Sequence, residues 1–230
     1  MPASLLAAAS GDVSALHALE AVEAVLDRPP RTLTAALLDY YAPDNDQCGA
    51  SFLDGSEALA PDTVTAADLF AVTTLGLPVR PSAARRLLYD TPYAADVAHC
   101  LSPERLPLDA TLAEAGAEIL DAMSALHGAV VSAFGVHPDD AAHAAASAIC
   151  ARKRPELFPA LDPALRAALA LPTPAAPVRS WLILRSVLGE VRIADGIAAA
   201  FSRARRAGHG VLLDVYPLRQ IHVLVANARF

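Results

Sequence analysis

The sequence predicts a mostly α protein, a single multi-helix domain, and three observations carry that expectation. Apolar residues are 54% of the 230 residues but aromatics only 5%. The apolar content is therefore small and aliphatic, with alanine, the best helix former, in excess. β-Branched residues are sparse outside the C-terminal end. Finally, prolines and cap residues recur at intervals that suit helix starts and stops. A chain of this length can bury a substantial core. No window holds the roughly 18 uncharged apolar residues that a membrane-spanning helix needs. The N-terminal MPASLLAAASGD lacks a basic n-region and has too short an apolar run for a signal peptide, so a cytoplasmic protein is expected.

Taken in order, residues 12–27 place Val13, Leu16, Leu19, Val22 and Leu26 at steps of three and four, which predicts an amphipathic helix capped by Ser10 or Asp12 and stopped by Pro29-Pro30. A shorter helix spans 32–41. Residues 42–64, rich in Pro, Gly, Asn, Asp and Ser, read as a long loop, and such loops are often functional. Thr65-Ala-Ala-Asp68 matches a capping box with Asp in place of Glu, opening a helix to Leu75 that Gly76 and Pro78 close. Ser82 caps a helix to Tyr89. Thr91-Pro92 and Ser102-Pro103-Glu104 both read as cap-then-proline starts. Residues 109–127 form the clearest long helix, with Leu112, Ile119, Leu120, Met123 and Leu126 inward and Gly128 past its end. Asp162-Pro163 opens a helix to Ala170, and 171–177 is a proline-rich linker. Two helices, 178–188 and 190–207, meet at Gly189. Residues 211–228 permit strands or a helix, and the helical context favours the helix.

The net charge of −7 conceals an asymmetry. Residues 1–151 carry 6 Arg against 20 Asp and Glu, a net of −14. Residues 152–230 carry 11 Arg and Lys153 against 5 Asp and Glu, a net of +7. One domain with an acidic lobe (about 1–151) and a basic lobe (about 152–230) is the simplest organisation. The basic part can form an anion-binding face, or the two parts can pack together and compensate. Cys48, Cys100 and Cys150 fit neither a disulfide framework nor a CxxC metal site, and read as small buried or half-buried thiols.

Phe134 to Asp162 concentrates the chemistry: a glycine turn, a helix of small residues, the cations Arg152, Lys153 and Arg154, and a proline-bounded loop ending in Asp162. Lys153 is the one lysine of the chain. Asp139 and Asp140 suit the first turn of the helix, and the cations suit its last turn, both favoured by the helix dipole. Three adjacent cations can also hold a phosphate or carboxylate. Asp162 before Pro163 is an ordinary N-cap pattern. His137, Asp140 and His143 lie near one helix start, but their spacing is no recognised metal pattern, so neither metal nor cofactor is expected. Trp181 reads as a core anchor, and Arg203, Arg205 and Arg206 as an extension of the basic face or a complement to the acidic lobe.

ARKRPELFP followed by an aspartate resembles a signature of an unknown-function family of proteins from high-GC bacteria: a glycine turn, a helix ending in a lysine–arginine–proline run, then a proline–aspartate loop. TAADLFAVTTLGLPV (65–79) and Trp181 match it as well. The likeness covers about 60–230, is most specific over 150–162, and implies no particular activity. The order glycine turn, helix, loop and aspartate is also similar to that of helix-hairpin-helix DNA glycosylases. That resemblance implies a helix-hairpin-helix-like element at the centre of the fold, with Gly135 as the hairpin glycine gripping a DNA phosphate and Asp162 as the catalytic aspartate acting on a flipped nucleotide. His137 stands where the hairpin's second glycine would be. No lysine lies early in the following helix, so a lysine-based lyase mechanism is not implied.

Three functional readings follow. One is an anion-binding, nucleic-acid-associated module with Gly135, Arg152, Lys153 and Arg154 on phosphate and Asp162 as the catalytic group. A second is a small-molecule enzyme or ligand-binder, with loop 42–64 as a lid and the cations holding a phosphorylated or carboxylated ligand. A third is a non-catalytic interaction domain whose cations pair internally with carboxylates of residues 1–151. None involves a membrane partner.

Overall fold

The computed structural model of the chain describes residues 13–42, 60–208 and 215–226. Among them are eleven helices and no strand. They are α1 (Val13–Leu26), α2 (Pro30–Tyr40), α3 (Ala66–Thr74), α4 (Pro81–Leu88), α5 (Thr91–Leu101), α6 (Ala117–Ala133), α7 (Asp140–Lys153), α8 (Pro163–Ala168), α9 (Pro177–Gly189), α10 (Val191–Ala207) and α11 (Pro217–Ala226).

The helices form two packed groups. α3 to α7 pack on one another, with α6 between α5 and α7. α1 and α2 pack instead with α9, α10 and α11, and α8 packs on α11. The charge boundary at 151/152 is therefore not a packing boundary: the acidic α1 lies on the arginine-bearing α10, where Arg192 meets Glu23 at 2.6 Å.

α7 is the central element. Eleven of its fourteen residues are buried, Ala142 and everything from Ala144 to Lys153. Alanine and serine on every side let several elements approach it closely, as its composition predicts. Trp181 of α9, fully buried, joins the groups. Its ring meets Phe158 edge-on at 5.5 Å and His127 of α6 at 6.1 Å. The aromatic pair adds to a large buried apolar area.

Several boundaries match the sequence. Thr65 and Asp68 make the reciprocal capping box of α3, and Gly76, at φ +73, adopts the left-handed conformation that ends it. Pro30 does more than stop α1: it is the first residue of α2. The segment 211–228 is helical over Pro217–Ala226.

Other expectations are corrected. α1 buries Ala15, Ala18, Val22 and Val25, while Val13 and Leu16 are 80% and 57% exposed. Its small residues face the core because α9, α10 and α11 approach closely. Gly196 of α10 marks that approach, since a Cβ there would lie 3.0 Å from Leu26 Cδ1. α4 begins at Pro81, with Ser82 inside it, and Asp90 rather than Thr91 is the N-cap of α5. Residues 103–105 make a turn, not a helix. The long helix starts at Ala117 and continues through Gly128, so Leu112 is buried from a turn outside it. The caps Ser10 and Asp12, most of loop 42–64 with Cys48, and residues 211–214 and 227–228 lie outside the described residues.

These positions set the first stability test. Trp181→Ala is expected to destabilise the fold by about 3–5 kcal/mol, and Leu16→Ala by no more than about 0.5 kcal/mol in either direction. Urea unfolding followed by circular dichroism measures both. Equal effects would mean that the buried face of α1 is misassigned.

Candidate functional site

The three cations at the end of α7 are inside the protein. Arg152, Lys153 and Arg154 are 6%, 2% and 2% exposed. Asp68, itself buried in the first turn of α3, receives the Nε of Arg152 at 2.8 Å on one carboxylate oxygen and the Lys153 ammonium on the other. The second oxygen also accepts from the backbone N–H and hydroxyl of Thr65 at 2.8 and 2.9 Å. The arrangement joins the positive end of α3 to the negative end of α7 through side chains of the complementary sign. Lys153 donates further to the carbonyl of Ala60 at 3.2 Å, and Ala60 holds a left-handed φ of 59. Burial pushes the ammonium of Lys153 below its ordinary value, against the pull of Asp68.

Arg154 is a backbone staple. Its guanidinium donates to the carbonyls of Leu106, Pro61 and Lys153 at 2.9 Å each, to that of Leu101, and to the Asp62 carboxylate at 3.4 Å. Arg152 and Lys153 are likewise held by the protein's own groups. None of the three presents a free face to an outside phosphate.

Asp162 lies elsewhere. It is the N-cap of α8, accepting the Leu165 amide at 2.7 Å. Its other oxygen is 2.9 Å from Nε2 of His222. Nδ1 of His222 lies 2.8 Å from the Arg219 guanidinium, which reaches on to the Tyr40 hydroxyl at 3.0 Å. Arginine can only donate, so Nδ1 accepts and the imidazole proton sits on Nε2, pointing at Asp162. Burial alone would raise the Asp162 carboxyl. The hydrogen bonds from His222 and Leu165, with the Arg219 charge behind, outweigh burial and hold it below its ordinary value. The result is an ionised carboxylate with 17% of its side chain open to solvent. An N-cap requires only the Leu165 bond. The relay through His222, Arg219 and Tyr40 is additional.

Gly135, the remaining predicted residue, has φ +123 in the turn joining α6 to α7, a conformation that favours glycine. A Cβ there would meet only Arg86 Nη1, at 4.0 Å. That guanidinium donates to the Ala133 carbonyl at 3.0 Å and lies 5.4 Å from the ring centre of Tyr93. Arg80 reaches Asp139, the N-cap of α7, at 2.6 Å, with 60% of its side chain exposed. Arg86 of α4 and Arg80, the N-cap residue of α4, thus flank the open turn. The structure separates the predicted residues: Gly135 and the cations lie at opposite ends of α7, about 21 Å apart for fourteen residues.

A fourth cluster lies in the core. Ser147 Oγ is 3.3 Å from Nε2 of His127, and His127 stacks on His143 at 5.8 Å. Burial, with His143 adding to it, lowers His127 to about 4, so the ring is neutral. Serine and imidazole both lie at most 4% exposed, so the pair is core polar packing and not a nucleophile site. Cys100 and Cys150 are buried thiols raised by that burial, and thus inert. Among the described residues no group of three or more His, Cys, Asp or Glu is placed to hold a metal ion, and His137 is exposed while His143 faces the core.

The sequence reading did not include His222, Arg219, Tyr40, Arg80, Arg86, or Asp68 as an ion-pair partner. Arg219 and His222 are three apart, a spacing that puts both on one helix face, and this was the available signal. Nothing local connects Asp68 to Arg152, 84 residues away.

Residues 33–229 match the family of unknown function DUF6308, and the chain belongs to that family. No curated protein and no solved structure matches it.

Two outcomes follow. Asp68→Asn leaves two buried cations without their shared carboxylate, and should lower stability by about 3–5 kcal/mol in denaturant titration. Stability within 1 kcal/mol of the parent would remove Asp68 from its central role. His127 gives a pH dependence. Its folded value lies below its unfolded value of 6.5, so the unfolded chain binds the proton first. Its contribution is complete above pH 6.5 and declines towards pH 4, by about 3 kcal/mol in all. Thermal melts of the protein and of His127→Gln across this window should differ in slope, the variant losing less stability on acidification.

Proposed function

We propose that this member of DUF6308 is a nucleic-acid-associated helical module, organised like the helix-hairpin-helix DNA glycosylases, that meets phosphate at the Gly135 turn. One observation supports this best: an open glycine turn beside the guanidiniums of Arg80 and Arg86, followed along the chain by α7, a proline-bounded loop and the ionised Asp162. A glycine turn brings backbone close to a ligand, and arginine recognises phosphate oxygens through its planar fork. The phosphate contacts are thereby assigned to Arg80, Arg86 and the turn, and Arg152, Lys153 and Arg154 keep a structural role.

In this reading Asp162 acts by charge. A carboxylate held below its ordinary value is a poor general base at neutral pH, because a base works best near the working pH. It suits stabilisation of positive charge that develops on a sugar as its base departs, a preorganised electrostatic effect. His222 and Arg219 would keep that carboxylate ionised and aimed.

The burial of the three cations also favours a second reading, a non-catalytic interaction domain in which they only hold the fold together. Among the described residues no helix is long and apolar enough to cross a membrane, so neither reading involves a span. The ligand-binder reading relies on loop 42–64, most of which lies outside the described residues.

The readings separate by experiment. The nucleic-acid reading expects a labelled DNA duplex to shift in fluorescence anisotropy at low salt, with affinity falling steeply as salt rises. Arg80→Ala should reduce the slope of log affinity against log salt by about one contact. Asp162→Asn should retain binding yet lose release of a damaged base from the duplex. No binding at low ionic strength leaves the interaction domain.

A further inference from the structure

Tyr89 is the most exposed aromatic among the described residues, at 77%. It is the C-cap residue of α4, and its backbone N–H donates to the Arg85 carbonyl at 2.8 Å, so the ring projects from a fixed point of the chain. A single exposed apolar side chain is ordinary on a protein surface. The surroundings of this ring make it informative, because it stands within one helical turn of Arg85 and Arg86.

The arginines here are not equivalent. Arg80 and Arg85 share their charge with Asp139 and Asp90. Arg86 makes no ion pair with a described residue. Its guanidinium is held by the Ala133 carbonyl and lies over the Tyr93 ring, and it reaches the open Gly135 turn. Val136, the next residue of that turn, is 89% exposed. The surface thus combines one uncompensated guanidinium, an open glycine turn and two projecting apolar side chains. A single such charge contributes little on a duplex, where binding of useful strength neutralises several phosphates. A second contribution is required, and a solvent-facing phenol ring supplies one only to a base whose face is free. In a duplex the base faces are covered by stacking, and proteins reach only the edges in the grooves and the phosphates.

We infer that the nucleic acid is taken as an unpaired strand: Tyr89 stacks on a base while Arg86 and the Gly135 turn hold a neighbouring phosphate. The inference rests on the phosphate reading of that turn and adds to it the class of substrate. Every base has a π-face, so this mode carries little sequence preference.

Fluorescence anisotropy of the full chain at low salt tests this with a labelled oligothymidylate of about 12 nucleotides, alone and annealed to its complement. The single strand should bind more tightly than the duplex. Tyr89→Ala should weaken the single strand by about fivefold to a hundredfold, the worth of one stacked base. It should leave duplex affinity and the melting temperature unchanged, since the side chain is exposed. Tyr89→Trp should keep the single-strand affinity, and its fluorescence should be quenched as the strand is added. Duplex binding as tight as that of the single strand, or single-strand affinity unchanged in Tyr89→Ala, overturns the inference and leaves the phosphate reading of the turn standing. Binding of neither probe overturns both.

Discussion

Asp68 is one carboxylate with four tasks. It completes the capping box of α3, accepts the Thr65 hydroxyl, and takes an ion pair from Arg152 and another from Lys153. The rest of the first helix group depends on it, because α7 is the element around which α3 and α6 pack and its last turn is otherwise three adjacent buried cations. Charges of this kind lose hydration on burial and recover it only through close, well-oriented partners. Arg154 shows a second solution: four backbone carbonyls and Asp62 satisfy it, which pins the chain at 61, 101 and 106 to the end of α7. The cluster is better understood as specifying where segments meet than as adding net stability.

Using the cations internally leaves them unavailable to an outside anion. In the proposed reading the phosphate contacts fall instead to Arg80 and Arg86 beside Gly135, on a surface assembled from segments distant in sequence, where Arg86 of α4 reaches the turn between α6 and α7.

The Asp162 relay makes a comparable connection in the second helix group. Asp162 starts α8, His222 and Arg219 belong to α11, and Tyr40 ends α2. Three helices from both ends of the chain thus share one polar network in otherwise apolar surroundings. Such a network tolerates no missing member, because each deletion strands a buried donor or acceptor. The lowered value of Asp162 owes more to His222 than to the N-cap bond from Leu165, which adds to it.

Local features were legible in the sequence because local physics produces them. The helical class follows from alanine content, and the capping box at Thr65, the proline start at Pro163, the turn at Gly135 and the buried Trp181 follow from residue type and spacing. The sequence by itself determined that α7 would be small on every side and end in three cations. It could not determine whether those cations faced solvent, since helix termination and phosphate binding ask for the same residues in the same place. α1 illustrates the same limit: the leucine stripe and the alanine–valine stripe are both periodic, and only the close approach of α9, α10 and α11 selects the smaller side chains. Tertiary structure decided these points by bringing Asp68 to Arg152, His222 to Asp162 and Arg86 to Gly135. Those pairings join residues from 49 to 84 positions apart, and over such separations the energy lies in contacts that no local pattern encodes.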